Sequence, residues 1–212
     1  MNEIIQLKQK TYKKDGMLSK GFTLVELMIV IAVIAALLTA AALSAHSFMP
    51  RYRLNSACLD IIAAFQRARV SAIRNNVGPP GISPQCVLVF QPAGTAGALP
   101  GGSYFAFIDT DADWVEDAGE VRIIPQKGMP HGVNLINATF TNNNNGLANA
   151  TFCCAYNSQG LATQATGGGP IVTGNVDMQA VAGSRVCRVN FTATGRLSRQ
   201  IRNAGGTWVD HS

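Results

Sequence analysis

The sequence predicts an α+β protein, with a helical N-terminal third and a β-rich remainder. Three observations predict it. From Leu27 to Ala45 only Thr39 and Ser44 interrupt an apolar run of 19 residues. From Arg53 to Asn76 apolar side chains recur at spacings of three and four. After residue 77 the chain offers only short β-branched and aromatic runs, separated by turn residues.

The apolar run is close to the ~20 residues that a helix needs to span a bilayer. Lys8, Lys10, Lys13, Lys14 and Lys20 precede it, against Glu3 and Asp15, while Arg51 and Arg53 follow. The lysine excess predicts a cytoplasmic N-terminus, with the bulk of the chain across the membrane. Net charge is +5, but the first 21 residues hold +3 of it, so the remainder carries no global nucleic-acid footprint. One charge, Glu26, lies at the head of the apolar stretch Gly21 to Leu38. A carboxylate in lipid costs about 2.5–3.5 kcal/mol near a helix centre and less near an end, so this acid needs a reason.

Three readings compete for the segment. It is a plain single-span anchor, or a secretory signal cut near Ala45 after Ala-Ala-Leu-Ser-Ala, or something that uses the acid. Lys20-Gly21-Phe22-Thr23-Leu24-Val25-Glu26 resembles the processing site of type IV prepilins. The resemblance implies that a dedicated peptidase cuts between Gly21 and Phe22 and methylates the new N-terminus. The apolar helix is kept, and Glu26 becomes the fifth mature residue. The acid then has a partner, because a buried amine and carboxylate together cost far less than either alone. In filaments of this family the Glu is thought to meet the amine of a neighbouring subunit, which makes Glu26 an assembly register. Met17 to Gly21 alone would form a normal short leader, so the polar residues 1–16 are either a cytoplasmic extension or an upstream start.

Past Pro50, which is expected to bend or break the helix, Leu54, Cys58, Ile61, Phe65, Ala68 and Ala72 form one apolar stripe. Arg67, Arg69 and Arg74 lie largely off it, and Gly78-Pro79-Pro80-Gly81 is a stop signal. The Arg-Leu-x-Ser-Ala start and the Ala-Arg-x-Ser-Ala-Ile-Arg-Asn-Asn end of this segment resemble the GspH/FimT branch of pilin-like proteins. Phe105 to Asp109 and Val189 to Arg196 fit its later strand elements. The resemblance implies a type IV pilin-like fold, a long N-terminal helix whose second half packs on antiparallel β-sheets. It implies a structural role as a minor pilin or pseudopilin, priming or capping a type IV pilus or a type II secretion pseudopilus. The partners it implies are other pilins, the prepilin peptidase and the inner membrane. The expected organisation is a leader at 1–21, a membrane and assembly helix at 22–48, an amphipathic half at 49–77 and a β-rich domain at 78–212.

Strands are expected at CVLVF (86–90), YFAFI (104–108), VRII (121–124), NATF (137–140), TFCCAY (151–156) and CRVNF (187–191). Pro92–Gly102, Thr141–Gly146 and Thr163–Gly174 read as Gly- or Asn-rich loops. Five cysteines leave at least one without an intramolecular partner. Cys58 sits on the helix stripe and reads as a buried thiol. Cys153 and Cys154 point to opposite faces of a strand. Cys187 is expected to pair with Cys153 or Cys154, and Cys86 is the weaker partner.

Asp109, Asp111, Asp113 and Glu120 stand at calcium-loop positions 1, 3, 5 and 12. Position 6 is Trp114 where such loops need Gly, and the flanks read as strands, so a solvated hairpin loop is the expectation. No cofactor is expected, with calcium as the alternative. His46, His131 and His211 match no motif, and no nucleophile elbow or phosphate loop is present, so no enzyme is expected. Arg185, Arg188, Arg196, Arg199 and Arg202 crowd the C-terminal region near Trp208. They are ordinary sheet charges or a local phosphate-contacting patch. Some FimT-type pilins serve DNA uptake through a Gly-Arg-rich turn. Gly195-Arg196-Leu-Ser-Arg199 resembles it, with the second Arg one place later, and implies DNA contact by Arg196, Arg199 and Arg202.

Overall fold

A computed structural model describes residues 21–75, 85–140 except 112, 152–163, 173–182, 185–192, 194–203 and 205–210. The leader before Gly21, the Gly-Pro-Pro-Gly stop and the Thr141–Gly146 loop lie outside the described residues, as does most of Thr163–Gly174.

A single helix, α1 (Leu24–Arg74), carries both helical segments, and Pro50 lies inside it. The chain divides into two compact units, one ending at Leu43 and one from Ser44 to Ser212. Leu24–Ala42 is long and apolar enough to cross a membrane, and none of it is buried within the protein. Its polar interruption costs little, since the Thr39 hydroxyl donates to the Ala35 carbonyl at 2.6 Å.

In the second unit the expected stripe is the buried face of α1. Leu54, Cys58, Ile61, Phe65 and Ala68 are fully buried, and Ala72 nearly so. They pack on two antiparallel five-stranded sheets. The first has the order β3-β2-β1-β5-β6, from β1 (Gln85–Gln91), β2 (Ser103–Asp109), β3 (Arg122–Gly128), β5 (Phe152–Tyr156) and β6 (Ala162–Thr163). The second is β10-β9-β8-β7-β4, from β4 (Val133–Phe140), β7 (Thr173–Ala180), β8 (Val186–Thr192), β9 (Leu197–Arg202) and β10 (Val209–Asp210). Pro125 sits in β3, an edge strand, where a missing N–H is tolerated.

Phe65 joins the layers. Its ring lies 5.5 Å from Phe90 on β1, 5.4 Å from Phe191 on β8 and 6.4 Å from Phe140 on β4. A second cluster, Val87, Val89, Phe105, Phe107, Cys153 and Ala155, buries the other face of the first sheet under Trp114. Cys154 belongs to the main core and Cys153 to this second cluster, as adjacent places in one strand require.

The six expected strands are present, but β6, β7, β9 and β10 were not among them. In β7, Val176, Met178 and Ala180 are buried while Asn175 and Gln179 alternate with them. That alternation is itself a strand signal and was missed, because the glycines before β7 extended the apparent loop across its start.

The cysteine pairing is corrected. Cys187 is disulfide-bonded to Cys58, not to Cys153 or Cys154. Cys153 and Cys154 lie on β5 of one sheet and Cys187 on β8 of the other, whose neighbours are β7 and β9. The helix stripe, laid across the sheets, brings Cys58 to β8 with a Cα–Cα distance of 6.6 Å, inside the usual range for a disulfide. Cys86 and Cys154 are free thiols, and all three of Cys86, Cys153 and Cys154 are buried. Burial pushes the Cys86 thiol up to about 12 and the Cys154 thiol well above its ordinary value, so both are inert at neutral pH.

Candidate functional site

The N-terminal site is built on a helix cap. The Glu26 N–H donates to the Thr23 hydroxyl at 3.2 Å, and the Leu27 N–H donates to the Thr23 carbonyl at 3.2 Å. Thr23 is therefore the N-cap and Glu26 the third helical residue, the spacing of a capping box. That Thr-x-x-Glu signal was readable in the sequence and was missed. It gives Glu26 a local role, a carboxylate beside the positive end of the helix, in addition to any role in assembly. Phe22 is 80% exposed. A Cβ at Gly21 would meet no atom within 4 Å, so packing does not call for glycine there.

The C-terminal arginines do not form one patch. Regular pairing sets Arg199 opposite Val189, on the face that also carries the buried Ile201. Arg202, three residues on, points to the other face. There Arg202 and Arg188 both lie over the Trp208 ring, at 4.6 and 4.2 Å from its centre. Arg188 also holds Asp177 through two hydrogen bonds, at 2.7 and 2.8 Å. This pair holds the Arg188 guanidinium above its ordinary pKa, chiefly through the hydrogen bond.

Arg196 follows a turn that needs glycine. Gly195 has φ of 76°, and a Cβ there would come within 3.1 Å of the Arg69 guanidinium of α1. The Gly-Arg turn thus has a packing reason to exist, because it closes over Arg69. Among the described residues the ion pairs are Arg122–Glu116, Lys127–Asp60 and Arg188–Asp177, so Arg196, Arg199 and Arg202 are in none.

The acidic loop is a folded cover for the first sheet. Trp114 adopts φ of 68°, the left-handed conformation usually left to glycine, and its side chain is 4% exposed. Asp109 accepts the Trp114 N–H at 3.0 Å, and Glu120 accepts the N–H groups of Thr110 and Asp117 at 2.7 and 3.1 Å. The carboxylates of Asp109, Asp111 and Glu120 approach one another within 4.8 Å, as do those of Asp111, Asp113 and Asp117. The sequence places Asp113 in one set with Asp109, Asp111 and Glu120, whereas the loop divides the acids into these two groups. Asp113, then desolvation, Asp111 and Glu120 raise the Asp117 carboxyl above its ordinary value.

The raised folded pKa means that the ionised Asp117 opposes folding once pH exceeds the ordinary carboxylate range. Asp117→Asn is therefore expected to raise the melting temperature at neutral pH and low salt, with the gain fading as salt is added. A loop that depended on bound calcium would lose calcium-induced stabilisation instead, and thermal scans with and without calcium separate the two.

Residues 17–42 match the family described as "Prokaryotic N-terminal methylation motif". No curated protein and no solved structure matches the chain.

Proposed function

Taking as premise that the chain is a type IV pilin-like protein, we propose that it is a minor pilin or pseudopilin. In this reading it primes or caps a filament of a type IV pilus or a type II secretion machine. The supporting observation is the processing motif at the head of an exposed apolar helix that continues into the packed half of α1. The prepilin peptidase cleaves after Gly21. The anchor then holds the subunit in the inner membrane with the sheets on the periplasmic side, and the exposed half of α1 later meets the helices of other subunits.

The test is deletion of the gene, scored together for surface filaments, protein secretion and DNA uptake. Loss of filaments or of secretion, restored by the intact gene, supports the subunit role. Normal filaments and normal secretion refute it.

A second reading, contact with DNA, is favoured by three arginines outside any ion pair among the described residues. Because strand alternation separates Arg199 from Arg202, one duplex meets Arg196 and one other. Two phosphate contacts predict a log–log salt slope near ~−1.8, at about 0.9 per contact. Replacing Arg196 with Ala should flatten that slope by about 0.9. Binding insensitive to salt removes this reading.

A further inference from the structure

The second half of α1 is apolar on two faces. One is the stripe from Leu54 to Ala72 that packs on the sheets. The other points outward. On it Leu59 is 56% exposed, and Ala63, Gln66, Val70 and Ile73 follow as exposed residues. Their steps along the chain are four, three, four and three, and the exposed Tyr52 lies seven residues before Leu59. That is the a/d spacing of a coiled-coil seam, on a helix whose opposite face is already filled. Apolar side chains scattered singly over a surface need no explanation, whereas a line of them at this spacing marks a contact.

Charge selects what covers it. Arg67 and Arg74 stand one heptad apart on the same side of the seam. Both are exposed, and neither belongs to the ion pairs among the described residues. Asp60, one heptad before Arg67, is the only acid between Phe48 and Asn75, and Lys127 holds it at 3.0 Å. Arg53 and Arg69 turn toward the sheets instead, Arg53 donating to the His131 carbonyl at 3.2 Å and Arg69 lying under Gly195. The flank therefore offers two guanidinium groups and no uncommitted acid. A second copy would set arginines against it, and like charges beside a seam select against self-pairing. An anionic lipid surface is the rival cover. The narrowness of the line favours a helix, because Gln66 interrupts it and the small Ala63 leaves a hole that a facing side chain can enter.

We propose that the outward seam of α1, from Tyr52 to Ile73, docks one helix of a different protein chain, whose apolar stripe is flanked by acids one heptad apart. This adds a partner of stated chemistry to the subunit reading without depending on it.

The test uses the full chain in nanodiscs of zwitterionic lipid and labelled helical peptides of about four heptads, read by fluorescence anisotropy. One peptide carries Leu at a and d with Glu at e and g, one replaces every Glu by Lys, and one copies residues 48–75 of this chain. The expected result is saturable binding of the Glu peptide, with Kd on the order of 10 μM. The other two should bind at least tenfold more weakly, and the preference for Glu over Lys should shrink as salt is added. Leu59→Gln and Val70→Gln lie outside the packed face, and each should weaken binding at least tenfold with near-UV circular dichroism unchanged. Arg67→Glu combined with Arg74→Glu should reverse the preference, so that the Lys peptide binds more tightly than the Glu peptide. Should a seam variant lose its fold, the Glu and Lys peptides on the unaltered protein still decide. For the lipid rival, Gln66→Cys carrying an environment-sensitive dye is compared in zwitterionic and anionic nanodiscs without peptide, and no emission shift is expected. A blue shift in anionic lipid, equal binding of the Glu and Lys peptides, tightest binding of the copied peptide, or no binding at ~1 mM overturns the proposal. Normal filaments and secretion after gene deletion would sink the subunit reading and leave this binding result untouched.

Discussion

Glu26→Ala is expected to leave cleavage and membrane insertion intact while cutting incorporation into filaments by about a hundredfold. The expectation rests on what the substitution changes and what it leaves. The Glu26 interaction with the Thr23 hydroxyl uses the backbone N–H, which alanine keeps, so the helix cap survives. The anchor Leu24–Ala42 loses a carboxylate that lipid disfavours, so insertion is no worse. What disappears is the only acid in the apolar stretch Gly21 to Leu38, the group that would neutralise the amine of a neighbouring Phe22. Leaving one member of a buried ion pair without its partner costs about 3–5 kcal/mol, a hundredfold or more in an association equilibrium. Glu26→Gln keeps the size and loses the charge, and should fail alike. Quantitative blotting of sheared filaments against the membrane fraction measures the effect. Normal incorporation of both variants would return Glu26 to its capping role alone.

Cys58→Ser is the second large effect. The disulfide closes 129 residues of chain and ties the packed half of α1 to β8. In chain-entropy terms a loop of that length is worth about 5 kcal/mol, and native disulfides commonly contribute about 2–5. At ~2–4 °C per kcal/mol for a chain of this size, the melting temperature should fall by roughly 4–20 °C. Both sulfurs are fully buried, so the serine hydroxyl adds to the cost. Cys86→Ser is the control. That thiol is also buried but cross-links nothing, so its variant should keep the parent's loss of melting temperature in reductant, whereas Cys58→Ser should show none. A parent indifferent to reductant would contradict the disulfide's contribution.

What the sequence made legible follows from how local each signal is. The α1 stripe was legible because one helix face repeats every three to four residues, and each of its six positions proved buried. Six strands were legible, some where apolar residues run consecutively, as in β1 and β5, which are covered on both faces, and some where they alternate, as in β4 and β8. β7 alternates in the same way and was readable, but the glycines before it extended the apparent loop across its start. The disulfide was hidden for a different reason. Its partners sit on different elements, and the order of strands across two sheets is a tertiary outcome that no local pattern encodes. The arginines at 196, 199 and 202 looked like one patch because they are close along the chain, yet a step of three in a strand reverses the face. The fit of Arg69 under Gly195 joins residues 126 positions apart and left no mark on either local sequence.

Processing of α1 at Gly21, proposed from the motif at residues 17–42, is decided by the N-terminus of the chain from its native membranes. Mass spectrometry of the N-terminal peptide should find Phe22 as the first residue, carrying one methyl group on its amine. A chain starting at Met1 or Met17 would mark a plain uncleaved anchor, and one starting at His46 would mark a removed secretory signal. Either result would rule out processing between Gly21 and Phe22.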